Sequence, residues 1–192
     1  NIFEIGDSNY LLISDKGLYN YDYNSNNFKL IYTALKKIIP VRNKIESRIK
    51  DRGEFHFIDD KKYLSINVNS NIIEIIDDDL GFDIIDILES DIDGNDFYAI
   101  SNDNLFLSLK RTTQGLSLLK EIPIISTAHT ISDYDNLIFL TGNNGLSIFE
   151  KSKEKIINSY IVDEFNRAAV FKGNNQISFG SIHGVYKIDN VI

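Results

Sequence analysis

The chain has 192 residues, with 20 basic and 28 acidic side chains and a formal net charge of -8 at pH 7. That balance argues against a nucleic-acid partner, because holding phosphates needs a basic surface. The absence of Cys rules out disulfides, thiolate metal sites and Cys nucleophiles. There is no apolar run long enough to span a bilayer and no signal peptide. Met is absent too, including at position 1, which leads us to expect a processed or excised chain. Abundant Ile, Asn, Asp, Tyr and Phe suit pleated strands joined by tight polar turns. The length suffices for one sizeable core or for a stack of small repeated units.

In chain order, the first unit is a hairpin over residues 10–23 (YLLISDKGLYNYDY), followed by a more polar strand over 28–32. Residues 34–54 read as an irregular insertion with one or two helical turns, since Leu35, Ile38, Ile39, Ile45 and Ile49 are spaced helically and Pro40 interrupts them. An apolar strand over 55–58 leads into a second hairpin over 63–76 (YLSINVNSNIIEII). The pattern repeats: strand 84–88, hairpin 97–110 and outer strand 116–120, then strand 127–131, hairpin 137–150 and outer strand 155–160. A last strand over 168–171 precedes hairpin 177–189.

Each hairpin turns on a residue that accepts positive φ, giving the register Gly17, Asn71, Asn104, Gly145 and Gly184. The successive intervals are 54, 33, 41 and 39 residues, and three of the four are near the length of a four-stranded propeller blade. The chain is therefore expected to be all-β, a single β-propeller region over residues 1–192 built of about five four-stranded blades. A β-sandwich or a solenoid fits the spacing less well. The last repeat leaves little room for an outer strand after 185–188. Residues 2–5 are expected beside it if the ring closes, and elsewhere if the chain is a fragment of a larger propeller.

The hairpins at 137–150 (LIFLTGNNGLSIFE) and 11–22 (LLISDKGLYNYD) resemble the two-component regulator propeller repeat, in which an apolar strand, a turn and a Gly-Leu-aromatic strand end in an acidic residue. Residues 164–190 (EFNRAAVFKGNNQISFGSIHGVYKIDN) resemble the closing blade of such sensors through Glu164, Phe165, Asn166, Ala168, Ala169, Phe179, Gly180 and Gly184. Ser181 and His183 replace the usual Gly and Asn, and the Trp common in the repeat is missing. The resemblance implies the periplasmic or extracellular sensor region of a membrane-anchored, dimeric two-component signal transduction protein, passing ligand binding to a downstream kinase. The ligand it implies is a carbohydrate or another nutrient. A protein-interaction scaffold of a surface or secretion system is the alternative, and a propeller glycoside hydrolase a third reading.

No residue is singled out as catalytic, metal-binding, cofactor-binding or ligand-binding. His56, His129 and His183 fall in different repeats without paired metal-ligand spacing. His129 reads as a hydrogen-bonded structural residue, with a channel-facing role as the alternative, and His183 as a turn former. Residues 91–96 (DIDGND) look like a calcium loop, but Asp96 and Asn102 stand where Gly and Glu are required, so a turn is the simpler reading. Asp77, Asp78, Asp79, Asp59 and Asp60 read as solvated loop charges. No phosphate-binding Gly loop or nucleophile elbow occurs, and the region is expected not to be an enzyme and to need no cofactor.

Overall fold

The computed structural model describes residues 1–6, 8–43, 54–67, 74–90, 95–125, 127–143, 145–160, 176–181 and 184–189. Its regular structure there is all β, in several sheets of antiparallel strands, and none of the sheets closes on itself. The chain divides into two compact units, Asn1–Asp83 with Arg111–Ser117, and Ile84–Lys110 with Leu118–Ile192.

The first sheet runs in chain order through β1 (Ile2–Gly6), β2 (Asn9–Ser14), β3 (Gly17–Asp22) and β4 (Asn27–Thr33). The next segment supplies β5 (Ile38–Pro40), β6 (Arg42–Asn43), β7 (Glu54–Asp59), β8 (Lys62–Asn67) and β9 (Glu74–Asp79), and the second sheet has the order β5-β7-β8-β9. The third contains β10 (Ile84–Glu89), β11 (Asp96–Ser101), β12 (Leu105–Arg111) and β13 (Leu116–Pro123) as successive neighbours. The fourth is β14 (Ala128–Tyr134), β15 (Leu137–Gly142), β16 (Gly145–Glu150) and β17 (Lys155–Tyr160). The hairpin of β18 (Gln176–Ser181) and β19 (Gly184–Asp189) forms a two-stranded sheet.

All five hairpins read from the sequence are present, as β2–β3, β8–β9, β11–β12, β15–β16 and β18–β19. Several expectations are corrected. The stretch 55–58 is not the first strand of its sheet, because β5 lies before β7 in the strand order. The central hairpin of that sheet is thus β7–β8, turning at Asp60-Lys61, and Asn71 lies outside the described residues. With Lys61 in place of Asn71 the intervals become 44, 43, 41 and 39 residues. Residues 2–5, weighed either beside 185–188 or elsewhere, pair with β2. They form β1, with Ile2 opposite Leu12 and Phe3 opposite Leu11. The described part of the 34–54 insertion contains β5 and β6 and no helical turn, with Pro40 opposite Phe57. The expected strand at 168–171 and the motif residues Glu164, Phe165, Asn166, Ala168 and Ala169 lie outside the described residues.

Period-2 alternation explains the packing. In the fourth sheet Ile138, Leu140 and Phe149 point to one face, where they join Leu88, Tyr98, Ile100 and Phe106 of the third. Leu137, Phe139, Leu146 and Ile148 point to the other and meet Phe179 of β18. In the first unit Leu11 and Leu18 pack with Phe55, Phe57, Leu64 and Ile66, and Phe3 sets its ring edge-on to Phe55 at 5.6 Å. Each such side chain, fully buried, contributes roughly 1.5–3 kcal/mol, so these layers dominate any single polar contact.

A buried carboxylate ties the first two sheets together. Asp59 accepts hydrogen bonds from the Tyr32 hydroxyl at 3.0 Å, the Leu35 N–H at 2.5 Å and the Lys36 N–H at 2.9 Å. It is fully buried, which corrects its reading as a solvated charge. Its position at the end of β7 lets it satisfy the backbone of the connector that leaves β4. Asp77, Asp78 and Asp79 are not loop residues either; they end β9, opposite Leu64, Tyr63 and Lys62.

Gly17 has φ of 151°, and a Cβ there would lie 2.0 Å from the Tyr32 carbonyl oxygen. The β3–β4 approach therefore excludes a side chain at this position on both conformational and steric grounds. We expect Gly17→Ala to destabilise the protein by roughly 2–4 kcal/mol, whereas Gly6→Ala, where a Cβ meets nothing within 4 Å, changes stability by less than about 0.5 kcal/mol. Urea unfolding of the two variants checks the contrast.

Candidate ligand site

At one end of the fourth sheet two turns lie side by side. One joins β14 to β15 through Asp135-Asn136, with Asp135 in the left-handed region at φ 48°. The other, residues 151–154, joins β16 to β17. Asn136 holds them together. Its Nδ2 donates to the Ser152 Oγ at 2.8 Å, its Oδ1 accepts from the Ser152 N–H at 2.9 Å, and its backbone oxygen accepts from the Lys151 N–H at 2.8 Å. Asn suits this place because its amide can donate and accept at once.

Glu150 completes the network. Its Oε1 accepts from the Ser152 Oγ at 3.0 Å and its Oε2 from the Lys153 ammonium at 2.9 Å. The Lys153 hydrogen bond holds the Glu150 carboxyl below the usual carboxylate range, and Ser152 adds to the effect.

These turns border a cleft of about 380 Å³ lined by Tyr134, Asp135, Asn136, Leu137, Glu150, Lys153 and Ile157. Its apolar wall is continuous with the core around Phe139 and Phe179, because Tyr134, Leu137 and Ile157 belong to both. An aromatic ring, aliphatic walls, an amide, two carboxylates and an ammonium surround one small volume. That combination suits a polar ligand with an apolar face, which the ring can cover while the polar groups fix its orientation.

On the opposite face of the same strands lies a buried ion pair. The Lys151 Nζ is 2.8 Å from both Asp133 oxygens, and the two side chains are 7% and 4% exposed. Ser90 Oγ accepts from Nζ at 3.4 Å, and the ammonium sits 5.9 Å from the Tyr98 ring centre. Burial pushes the Tyr98 hydroxyl up to about 12, helped by the negative charges of Asp96 and Asp133. The pair lies one residue away from the cleft at both Asp133-Tyr134 and Glu150-Lys151, so it fixes the strands that carry the cleft.

A third polar group lies in the first unit. Glu54 pairs with Arg111 and accepts from the Ser65 Oγ at 3.3 Å, while His56 Nδ1 and the Tyr63 hydroxyl share a 2.7 Å hydrogen bond with their rings stacked. Burial disfavours the charged Glu54, but Arg111, then the nearby His56 and last the Ser65 hydrogen bond hold its carboxyl below the usual range. These side chains partner one another within the first unit.

Of the residues weighed from the sequence, His56 is thus in a structural hydrogen bond. His129 on β14 shares one of 2.6 Å with Asn143, in keeping with its structural reading. His183 and residues 91–94 lie outside the described residues. Among the described residues no group of three or more His, Asp or Glu could hold a metal ion. The cleft residues were not foreseen. The Asp135-Asn136 turn was visible in the sequence, but its pairing with Ser152 joins positions 16 apart.

No family model matches the chain, and no curated protein matches it. Among solved structures it is similar to one described as the extracellular domain of a hybrid two-component system from B. thetaiotaomicron. The match covers 99% of this chain and 28% of that one, at a TM-score of 0.65 and 10% identity. At that identity the likeness shows the fold alone. The chain thus spans little more than a quarter of that neighbour's length.

Two outcomes follow from the buried group. Lys151→Met leaves Asp133 buried without its cation and is expected to cost about 3–5 kcal/mol, with Lys151→Met and Asp133→Leu combined recovering much of it in denaturant titrations. Folding also keeps Tyr98 protonated above the pH at which an exposed tyrosine, near 10, ionises. Its contribution is intact below pH 10 and is lost as pH rises toward 12. Unfolding free energies measured across that window should fall less steeply in Tyr98→Phe than in the parent.

Proposed function

We propose that this chain is part of the extracytoplasmic sensory region of a two-component signal transduction protein. In this reading its sheets are blades of a propeller, and the Tyr134–Lys153 cleft takes a carbohydrate or similarly polar nutrient. The observation that carries the reading is the fold likeness to the extracellular domain of a hybrid two-component system over 99% of this chain. The cleft adds the chemistry, since a tyrosine ring beside hydrogen-bonding side chains suits a sugar's alternation of C–H faces and hydroxyls.

A ligand held by both turns would favour the arrangement in which Asn136, Glu150 and Ser152 are locked together. Such a bias, passed to a membrane-anchored dimeric kinase, is how binding would become a signal. The proposal includes binding without turnover and without a cofactor.

Calorimetric titration of a panel of oligosaccharide fragments tests it. A binding fragment is expected, and Tyr134→Ala should weaken it by about tenfold or more, with Lys153→Ala acting in the same direction. Tyr23→Ala, remote in sequence and 67% exposed, should leave affinity unchanged. Absence of binding across the panel would remove the ligand assignment, and release of cleaved sugar would replace a sensor with a hydrolase.

A further inference from the structure

The β14–β15 turn carries a charge that its conformation does not need. Tyr134 pairs with Leu137, so Asp135 and Asn136 make the turn, and Asp135 takes the left-handed region at φ 48°. Asn enters that region as readily as Asp. A turn aspartate commonly caps its own turn by accepting nearby donors. Asp22 does so with the Asn24 N–H at 2.9 Å and the Ser25 hydroxyl at 2.6 Å, and Asp79 with the Gly81 N–H at 2.9 Å. The Asp135 carboxylate, exposed in the wall of the cleft, makes no hydrogen bond or ion pair among the described residues.

The other charges in that wall are already matched. Glu150 accepts from Lys153 at 2.9 Å, from the Ser152 hydroxyl at 3.0 Å and from Asn136 Nδ2 at 3.4 Å. Lys155 faces Glu150 from β17 and favours its ionised form, but does not line the cleft. Glu150 and Lys153 therefore cancel within the wall, and Asp135 leaves it with an unmatched negative charge. The neighbouring Tyr134 ring also lines the cleft, and the face of such a ring attracts a cation. An anionic ligand would meet Asp135 and would have to draw Lys153 away from Glu150, stranding a second carboxylate.

We propose that the cleft selects a sugar bearing a free amino group, held as its ammonium by Asp135 and Tyr134, over neutral and acidic sugars. This rests on the reading of the cleft as a carbohydrate site given above. An ammonium brings three donors and a positive charge, and its hydrogen bond to a carboxylate is stronger than one between neutral groups. Leu137 and Ile157 provide the apolar wall for the C–H face of the sugar ring. Acetylating the amine removes its charge, and a hydroxyl in its place has none. Both changes leave the sugar ring intact and delete the contact that discriminates.

Calorimetric titration of the full chain with matched sugars tests this. Glucosamine, galactosamine, mannosamine and short oligomers of glucosamine are each compared with their acetylated and hydroxyl counterparts. The tightest ligand should carry the free amine and bind about tenfold or more tightly than either counterpart. Added salt should narrow that gap, because the attraction is between partly exposed charges. Asp135→Asn keeps a residue suited to the turn and should lower the amine's affinity to that of its acetylated counterpart. Asp103→Asn removes the same charge from the exposed β11–β12 turn and should preserve the preference. A neutral or acidic sugar binding as tightly as the amine would overturn the proposal and leave the carbohydrate reading standing. Absence of binding by every member of the panel would remove both. A preference that survives Asp135→Asn would overturn it as well, since the amine would then be drawn to the acidic surface at large. The comparison among ligands needs no variant, so it decides the matter even if Asp135→Asn fails to fold.

Discussion

A sheet whose middle strands are apolar on both faces cannot stand alone in water, and that constraint governs this structure. The fourth sheet shows it most fully. All six residues of β15 are buried, with Ile138 and Leu140 on one side and Leu137 and Phe139 on the other. Burying such residues on both faces requires a neighbour on each side. The outer strands obey the opposite rule: β4, β13 and β17 are largely exposed, so polar and apolar residues alternate there at little cost.

The polar groups inside the structure are placed by the same constraint. Sheets stacked through their side chains leave connectors with backbone donors that have no strand to pair with. Asp59 supplies acceptors to one connector, and Asp86 does similar work for β14 by accepting from the Ile131 N–H at 2.9 Å. The Lys151–Asp133 pair is a different case. Its two charges neutralise each other between apolar layers, and removing one would leave the other stranded. The cleft lies where these layers run out at the turns, so its apolar wall belongs to the core and its polar rim belongs to the turns.

Much of this was legible because hairpins write themselves into local sequence. Alternating strands around Gly or Asn are short-range signals, and the central hairpins of every sheet but the second could be read from them. The second repeat was misregistered because β5 is only three residues long and is separated from β7 by residues 41–53. A short strand far from its partner has no local signature. Asp59 was misread because an Asp-Asp pair before a turn has the same sequence whether its carboxylate faces water or a buried connector. The cleft was invisible for a related reason. Asn136 acts through Ser152, and no local pattern encodes that meeting. The sensor reading rests on the resemblance of short motifs and on a fold likeness.

Pro40 has a consequence for the molecule in crowded solution. It lies in β5, the terminal strand in the order of the second sheet. A terminal strand invites growth by pairing with any extended chain that reaches it. Proline has no N–H to give such a visitor, and a strand of three residues presents few other groups. The feature that broke the helical pattern in the sequence therefore also blunts an edge along which chains could otherwise aggregate.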